Sequence, residues 1–535
     1  MSARKNGTDT GLRASGKAVS PALARSVSLH LEGKRKEALK ELNTAIEGGE
    51  ETAEVFAAKG HVLFELEQYD DAIKTYERLL GLAPRHPTAN FNLGICYEKL
   101  GRWQEATDAF QKALDADPQR EEAQLGLGIC LLHQEKPEPA IGYFEKVLQR
   151  QPSHETALFG KAVSLQLLWK FDEATTLYLA ILEKNPQSEE CLVNLITIGM
   201  ARKDHDAIQQ YSERLLAMRP FSQAALEGLA TCAFHGNEYE AAARFCAKLV
   251  EFTPDHFERW FNVGVAEQKC GRLDEAAKAY SEAVRIRPDA KQAHVNLGIV
   301  RQEKGELKLA RESYERALQI APDLADVNYN LASVLEQQGE KEDSERLYVK
   351  LLARNPEWED AWFRLGYLRL QRADHRGAAE AFQACVRKRP NWPEAQLNLG
   401  LAYWNINDHE SAAKAFESVL ESDPVSIDAL RGLAALAVER EDLDKALDLQ
   451  AKLIEVGERT PELFYNTGLL LHKSGQVEDA VRLYQEALQE RPNFAEALLN
   501  LGHALKAQGN LEDARNCWRQ ALEQKPELAT GYFEQ

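Results

Sequence analysis

The sequence predicts an all-α fold, a solenoid of about fifteen helix-turn-helix repeats. Three observations predict it. Prolines recur every 34 residues at Pro84, Pro118, Pro152, Pro186, Pro220, Pro254, Pro288, Pro322, Pro356, Pro390 and Pro424, and Pro492 and Pro526 keep the register. Alanines run beside them at the same spacing, among them Ala38, Ala72, Ala106, Ala276, Ala310, Ala378 and Ala514. Units of 34 residues also fit 19–528 without insertion or deletion, with Glu50 and Glu458 standing in the proline slot. A fixed period of this length is the signature of a stacked repeat array.

Each element of the unit has a physical reading, with positions numbered 1 to 34 from residue 19. Positions 4, 7, 8 and 11 are mostly apolar or small, as in Trp260, Val263 and Gly264, which gives the first helix an apolar stripe. Position 15 is often glycine (Gly101, Gly271, Gly305, Gly339, Gly475, Gly509), which suits a helix end and a turn. Positions 20, 24 and 27 of the second helix read alanine, aromatic, alanine, as in Ala310, Tyr314 and Ala317. Small residues let helices approach while the ring fills the gap beside them. Proline at position 32 ends the second helix. A pair of helices this small cannot bury its own apolar face, so neighbours must stack. Residues 1–18, MSARKNGTDTGLRASGKA, are expected to form a basic flexible tail, and 529–535 a short C-terminal tail or partial cap.

In the unit 291–324, Leu297, Gly298, Gly305, Ala310, Tyr314, Ala317 and Pro322 carry a pattern that closely resembles the tetratricopeptide repeat, and the resemblance extends over 19–528. It implies a right-handed superhelix whose first helices line a concave groove that binds protein segments. Two units depart from the pattern. In 189–222, Ile196, Lys203, Ile208 and Ser212 replace Gly, Gly, Ala and the aromatic; in 427–460, Ala434, Glu441, Gln450 and Glu458 replace Gly, Gly, the aromatic and Pro. A hinge or altered curvature is one reading of these units, and ordinary drift in a long array is the simpler one.

Composition narrows the function. Net charge is −19 with a pI near 5.3, which argues against a general nucleic-acid binder. Residues 1–40 hold nine basic residues against three acidic ones, so the repeats themselves are the more acidic part. No stretch approaches the ~20 apolar residues needed to span a bilayer, and the N-terminus lacks the apolar core of a secretory signal. The eight cysteines form no paired framework, which suggests reduced thiols and a cytoplasmic setting. No catalytic motif stands out. Both GKAVS stretches, at Gly16 and Gly160, lack the earlier glycine and the hydroxyl residue of a phosphate-binding loop. Cys130/His133 and Cys232/His235 have an i, i+3 spacing, but position 10 favours a small buried residue and Cys96 fills it without a histidine. The expectation is a protein that is not an enzyme, with no cofactor and no metal.

Position 6 carries the candidate site. With roughly 100° of helical turn per residue, positions 4, 7, 8 and 11 share one side and 2, 6, 9 and 13 the other. Position 6 is Asn92, Asn194, Asn262, Asn296, Asn330, Asn398, Asn466 and Asn500, with Arg364 replacing one rung and Gly126, Gly160, Gly228 and Gly432 leaving gaps. This column resembles the asparagine ladder in the tetratricopeptide array of O-linked N-acetylglucosamine transferase, where amides hold the backbone of an extended segment. An amide both donates and accepts, so it suits peptide groups of any sequence. Bonds within or between repeats are the competing role. The column is densest from Asn262 to Asn500. Aromatics flank it at Phe261, Tyr329, Phe363, Tyr465, Tyr367 and Trp404, of which Trp404 is the best candidate anchor for a partner side chain. The position-5 set among them could equally pack against the next helix. Position 2 is acidic in ten units, including Glu394, Asp428 and Glu462, which fits either helix dipoles or attraction of basic ligands. A cationic clamp for a C-terminal carboxylate is disfavoured, since only Arg364 and Arg431 supply positive charge. The reading is a non-catalytic protein-interaction scaffold taking a protein or peptide ligand of basic character, with neither nucleic-acid binding nor membrane insertion. Two other readings are a recruiting arm for a separate enzyme such as a glycosyltransferase, and a scaffold that assembles into homo-oligomers.

Overall fold

A computed structural model describes residues 20–529. The basic tail at 1–18 lies outside the described residues, as does all but Ala529 of the C-terminal segment 529–535. The described residues form thirty α-helices and a 3₁₀ turn at Pro526–Leu528, with no strand among them. They fall into two bodies, one ending at Cys270 and one beginning at Gly271. The first holds α1 (Pro21–Leu31) through α15 (Phe257–Lys269), and the second α16 (Leu273–Ile286) through α30 (Leu511–Gln524). Within each body, consecutive helices pack as antiparallel hairpins stacked side by side.

One repeat of the second body shows why these residues fold this way. α17 (Lys291–Glu303) buries Ala293, Leu297, Gly298 and Val300, and α18 (Leu307–Ile320) buries Ala310, Ser313, Tyr314 and Ala317. Between them Gly305 turns the chain at φ +76°. Its N–H donates to Gln302 O at 2.9 Å, and the Glu306 N–H reaches back to Arg301 O at 2.8 Å. That hydrogen-bond pair satisfies the last carbonyls of the helix. Position 15 is left-handed throughout the array, but the residue is not constant: Glu67, Glu135, Trp169, Lys203, Asn237, Ala373, Asn407 and Glu441 adopt the same backbone without being glycine. The turn geometry is therefore imposed by the packed hairpin, and glycine only makes it easier.

The two units without proline at position 32 end their second helix differently. In α26 (Leu443–Glu455) the helix stops one residue short, Gly457 takes φ +95°, and the Glu458 N–H donates to Leu453 O at 3.0 Å. Gly49 (φ +89°) and the Glu50 N–H to Ala45 O bond at 2.9 Å repeat the arrangement after α2 (Arg35–Glu47). Proline has no N–H to give there, which accounts for its absence.

The core is a column of position-24 side chains in each body. Tyr76, Phe110, Phe144 and Tyr178 in the first, and Tyr280, Tyr314, Tyr348, Phe382, Phe416 and Tyr484 in the second, are among the largest fully buried side chains. Position-20 residues such as Ala310 and Ala412 are fully buried beside them. Where the unit 189–222 breaks the pattern, Ile208 and Ser212 take the two slots and both are fully buried. There a Cβ on Gly228 would come within 2.2 Å of Ser212 Oγ and 3.3 Å of Ile196, so the neighbours have closed over the small side chain. Ion pairs such as Lys304–Asp274 (2.7 Å) and Arg311–Glu340 (2.8 Å) link successive hairpins, and Arg219–Glu189 (2.5 Å) ties the two helices of a single hairpin. Each of these contributes little.

Candidate functional site

The face opposite the core is built by the first helix of each hairpin, and the position-6 side chains stand on it above the aromatic of the preceding repeat. Asn92 Nδ2 donates to Tyr76 Oη at 3.2 Å, and Asn296 Nδ2 to Tyr280 Oη at 3.2 Å. In the next repeat the Tyr314 hydroxyl donates instead to Gln302 Oε1 at 2.9 Å. Asn296 Oδ1 also accepts from Gln292 Nε2 at 3.0 Å. These amides are thus oriented by the core ring beneath them, and part of their bonding capacity is already used.

The gaps in the column have the same origin. Phe110 projects to the backbone of Gly126, where an added Cβ would sit 2.7 Å from the ring; the corresponding distances are 2.4 Å for Phe144 and Gly160 and 2.7 Å for Phe416 and Gly432. At these three places the phenyl ring occupies the space that a Cβ at position 6 would need, although Phe382 is followed by Asn398. Tyrosine at position 24 is followed by asparagine in the next unit at 76/92, 178/194, 280/296, 314/330 and 484/500, and by Arg364 after Tyr348. This paired choice was present in the sequence and is the signal that reading position 6 alone misses.

The other candidate residues are placed as follows. Asn194 Nδ2 donates to its own helix at Glu190 O (2.9 Å), and Asn398 Nδ2 to Glu394 O (2.8 Å). Asn500 is buried and bonds Tyr465 Oη (3.1 Å) and Glu496 O (3.0 Å). Asn262 and Asn466 are exposed. Arg364 faces the half-buried Glu336 at 3.4 Å, whose carboxyl is pushed up by burial. Trp404 Nε1 donates to Glu439 Oε2 at 3.0 Å. Asn92, Asn194 and Asn262 belong to the first body and the remainder to the second. Among the position-5 aromatics, Tyr329 stacks on Trp358 at 5.2 Å, Phe363 on Trp392 at 4.6 Å, and Tyr465 lies against Phe494 at 4.9 Å. They pack at the entry to the next helix, whereas Tyr367 is exposed.

Three concavities in the second body bring four of the candidates together. One of ≈ 500 Å³ is lined by Leu397, Asn398, Leu401, Trp404 and Arg431. It shares Arg431 and Ala435 with a second, of ≈ 660 Å³, that includes Gln450, Glu458, Leu463, Asn466 and Leu470. Leu469 and Leu470 carry on to a third, of ≈ 390 Å³, containing Asn500 and His472. Burial lowers the proton affinity of His472. Arg431 Nε donates to Glu458 at 2.9 and 3.2 Å, and the Glu458 side chain is almost wholly covered. Sequence reasoning singled out Gln450 and Glu458 as departures from the repeat but gave them no role.

Away from this groove, His133 stacks on Trp103 at 3.8 Å and His235 on His205 at 3.6 Å, while the Cys130 thiol is buried and pushed up to about 12. The two Cys/His pairs therefore serve packing. Among the described residues, His30, His61 and Glu65 place ligand-type atoms within 4.8 Å of one another. Glu65 there is held by His30 at 2.8 Å and by Arg35 at 2.5 Å, and these bonds keep its carboxyl below the usual range. No described helix is long and apolar enough to cross a membrane.

The repeated hairpin, its left-handed turn and the small-aromatic-small core define a protein-interaction solenoid. Tetratricopeptide repeat profiles match residues 57–121, 108–155, 125–189, 201–257, 329–395 and 397–462, and related ones match 264–305, 302–339 and 471–530. The chain belongs to the tetratricopeptide repeat family. Similar solved structures include YrrB, described as a TPR protein with an unusual peptide-binding site, at 22% identity over 36% of this chain and 98% of that one, TM-score 0.33. The Cut9–Hcn1 hetero-tetramer of APC/C is similar at 15% identity over 85% of this chain and 96% of that chain, TM-score 0.32. A tetratricopeptide repeat protein from Parabacteroides merdae is similar at 20% identity over 50% and 98%, TM-score 0.33. No curated protein matches.

Proposed function

We propose that this chain is a non-catalytic scaffold that holds an extended protein segment in the groove of its second body. The observation that carries the reading is the run of three adjoining concavities from Leu397 to Asn500, lined by Asn398, Trp404, Arg431 and Asn466. Apolar floors with a few amides and one indole are what an extended peptide needs: side chains enter the hollows and amides meet the backbone. Each backbone bond is worth only about 0.5–1.5 kcal/mol, so affinity comes from several rungs together. Recruitment of a substrate to a separate enzyme would use the same groove, and a basic segment is favoured by the acidic groups around it. The test is selection of extended peptides from a random library on the full chain, followed by affinity measurement on variants. Trp404→Ala combined with Asn398→Ala and Asn466→Ala should weaken a selected peptide by about 1–3 kcal/mol. Unchanged affinity would sink the groove assignment, and light scattering of the free chain separates monomeric scaffold from self-assembly.

A further inference from the structure

We propose that the unit 427–460 contains a receptor pocket for a lysine or arginine side chain of the bound segment; this rests on the groove reading above. Elsewhere in the second body the position-24 ring fills the space between one hairpin and the next, as Phe416 does before this unit and Tyr484 after it. Here the slot holds Gln450. The space a ring would take forms part of the ≈ 660 Å³ hollow, walled by Ala434, Val438, Leu453, Leu463, Leu469 and Leu470.

Two features specify what enters. Gln450 is 7% exposed, and its Oε1 is buried without a hydrogen-bond partner. A buried acceptor left unmade is destabilising, so an occupant that brings an N–H toward which the Gln450 amide can turn is favoured. The lining also carries Glu439, Glu458 and Glu462 against one cation, Arg431. Glu439 accepts from Trp404 and lies 3.4 Å from His409, Glu462 pairs with Arg491, and Glu458 with Arg431. Glu458 is where most units have proline, and its N–H bond to Leu453 O fixes it at the cavity. An aliphatic shaft ending in a donor, with carboxylates at the rim, matches a side chain that buries its methylene stem and keeps a charged tip. An aliphatic or phenyl occupant would leave Oε1 unmade, and an acidic one would meet like charge.

The test uses the full chain with two kinds of probe. Saturation-transfer NMR with n-butylguanidinium, a free side-chain mimic, should show transfer to the butyl protons in wild type and its loss in Gln450→Tyr. That substitution places a ring where Tyr348 already sits opposite an alanine, Ala332, and circular dichroism confirms the fold. Equal transfer to both proteins, or equal transfer from hexanoate, overturns the pocket whatever peptides do. Host nonapeptides of serine and alanine with one varied central residue then read specificity. Arginine or lysine should bind about tenfold more tightly than norleucine or glutamate, the scale of one charge-assisted bond, and Gln450→Tyr should erase the difference. Peptides that bind without this preference overturn the pocket and leave the groove reading intact. Transfer from n-butylguanidinium with no peptide binding supports the pocket and defeats the groove.

Discussion

At the scale of single residues, the position-6 asparagines divide between those held by the tyrosine beneath them, Asn92 and Asn296, and those tied to their own helix, Asn194 and Asn398. Asn296 looks misplaced in a helix, because asparagine competes for local backbone bonds. In the fold its amide is held by Tyr280 and Gln292. Tyr280→Phe removes the acceptor while keeping the ring, so unfolding of that region should become easier by about 1 kcal/mol. Denaturant titration followed by hydrogen exchange at α17 checks this. Filling a gap in the column should fare worse. Gly160→Asn would drive a Cβ to within 2.4 Å of Phe144, so a loss of about 1–3 kcal/mol is expected from overpacking. If Gly160→Asn were neutral, the ring would not be what sets the gaps. The sequence made the asparagine column visible, yet not the bond each amide makes: Asn92 and Asn296 reach a tyrosine 16 positions earlier, across a repeat boundary, while Asn194 and Asn398 turn back to their own helix.

At the scale of elements, the hairpin turn and the helix ends set the geometry. Gly305→Ala should destabilise its hairpin by roughly 1 kcal/mol, since a Cβ in the left-handed region is penalised and nothing else crowds that site. Glu458→Pro deletes the N–H that closes α26 on Leu453 and should also loosen the Arg431 contact, so it tests why the 34-residue proline rhythm breaks there. The period and the turns were legible because each repeat restates them. The left-handed turn was legible only where glycine marks it; at Trp169 or Glu441 the backbone is dictated by packing, which no local residue announces. The pH response also belongs to these elements. His472 on α27 (Pro461–Lys473) and His503 on α29 (Ala495–Ala507) both hold protons less tightly than a free histidine, burial being the first cause. The unfolded chain therefore binds more protons as pH falls below about 6.5. Stability of 461–528 should be level above that pH and decline below it. Hydrogen exchange across pH 5 to 8 checks the slope, and the double change to glutamine should flatten it.

At the scale of the whole molecule, a repeat array behaves as a chain of local stabilities joined by neighbour contacts, with no single global transition. Within the second body the weakest join is expected at 427–460. Much of that unit keeps the pattern: Ala446 is fully buried, Leu453 is 2% exposed, and the turn at Glu441 has the common backbone. Besides its proline-free helix end, it lacks the ring, which leaves a cavity beside a buried acceptor without a partner. Lost contacts around a void and an unsatisfied polar group each cost stability. By contrast, in the unit 189–222, just as irregular in sequence, the neighbours have closed over Ser212, although its Oγ too is buried without a partner. The two departures look alike on paper because sequence shows which side chain is absent, while only the neighbours' ability to move in decides whether a hollow remains. Native-state hydrogen exchange should therefore find α25 (Ile427–Glu439) and α26 less protected than α23 (Pro393–Asn405) and α24 (His409–Ser422). Gln450→Leu, which removes the unmade acceptor and adds apolar contact, should raise protection there by about 1–2 kcal/mol. Equal protection across the four helices would mean that the hollow at Gln450 costs the array nothing.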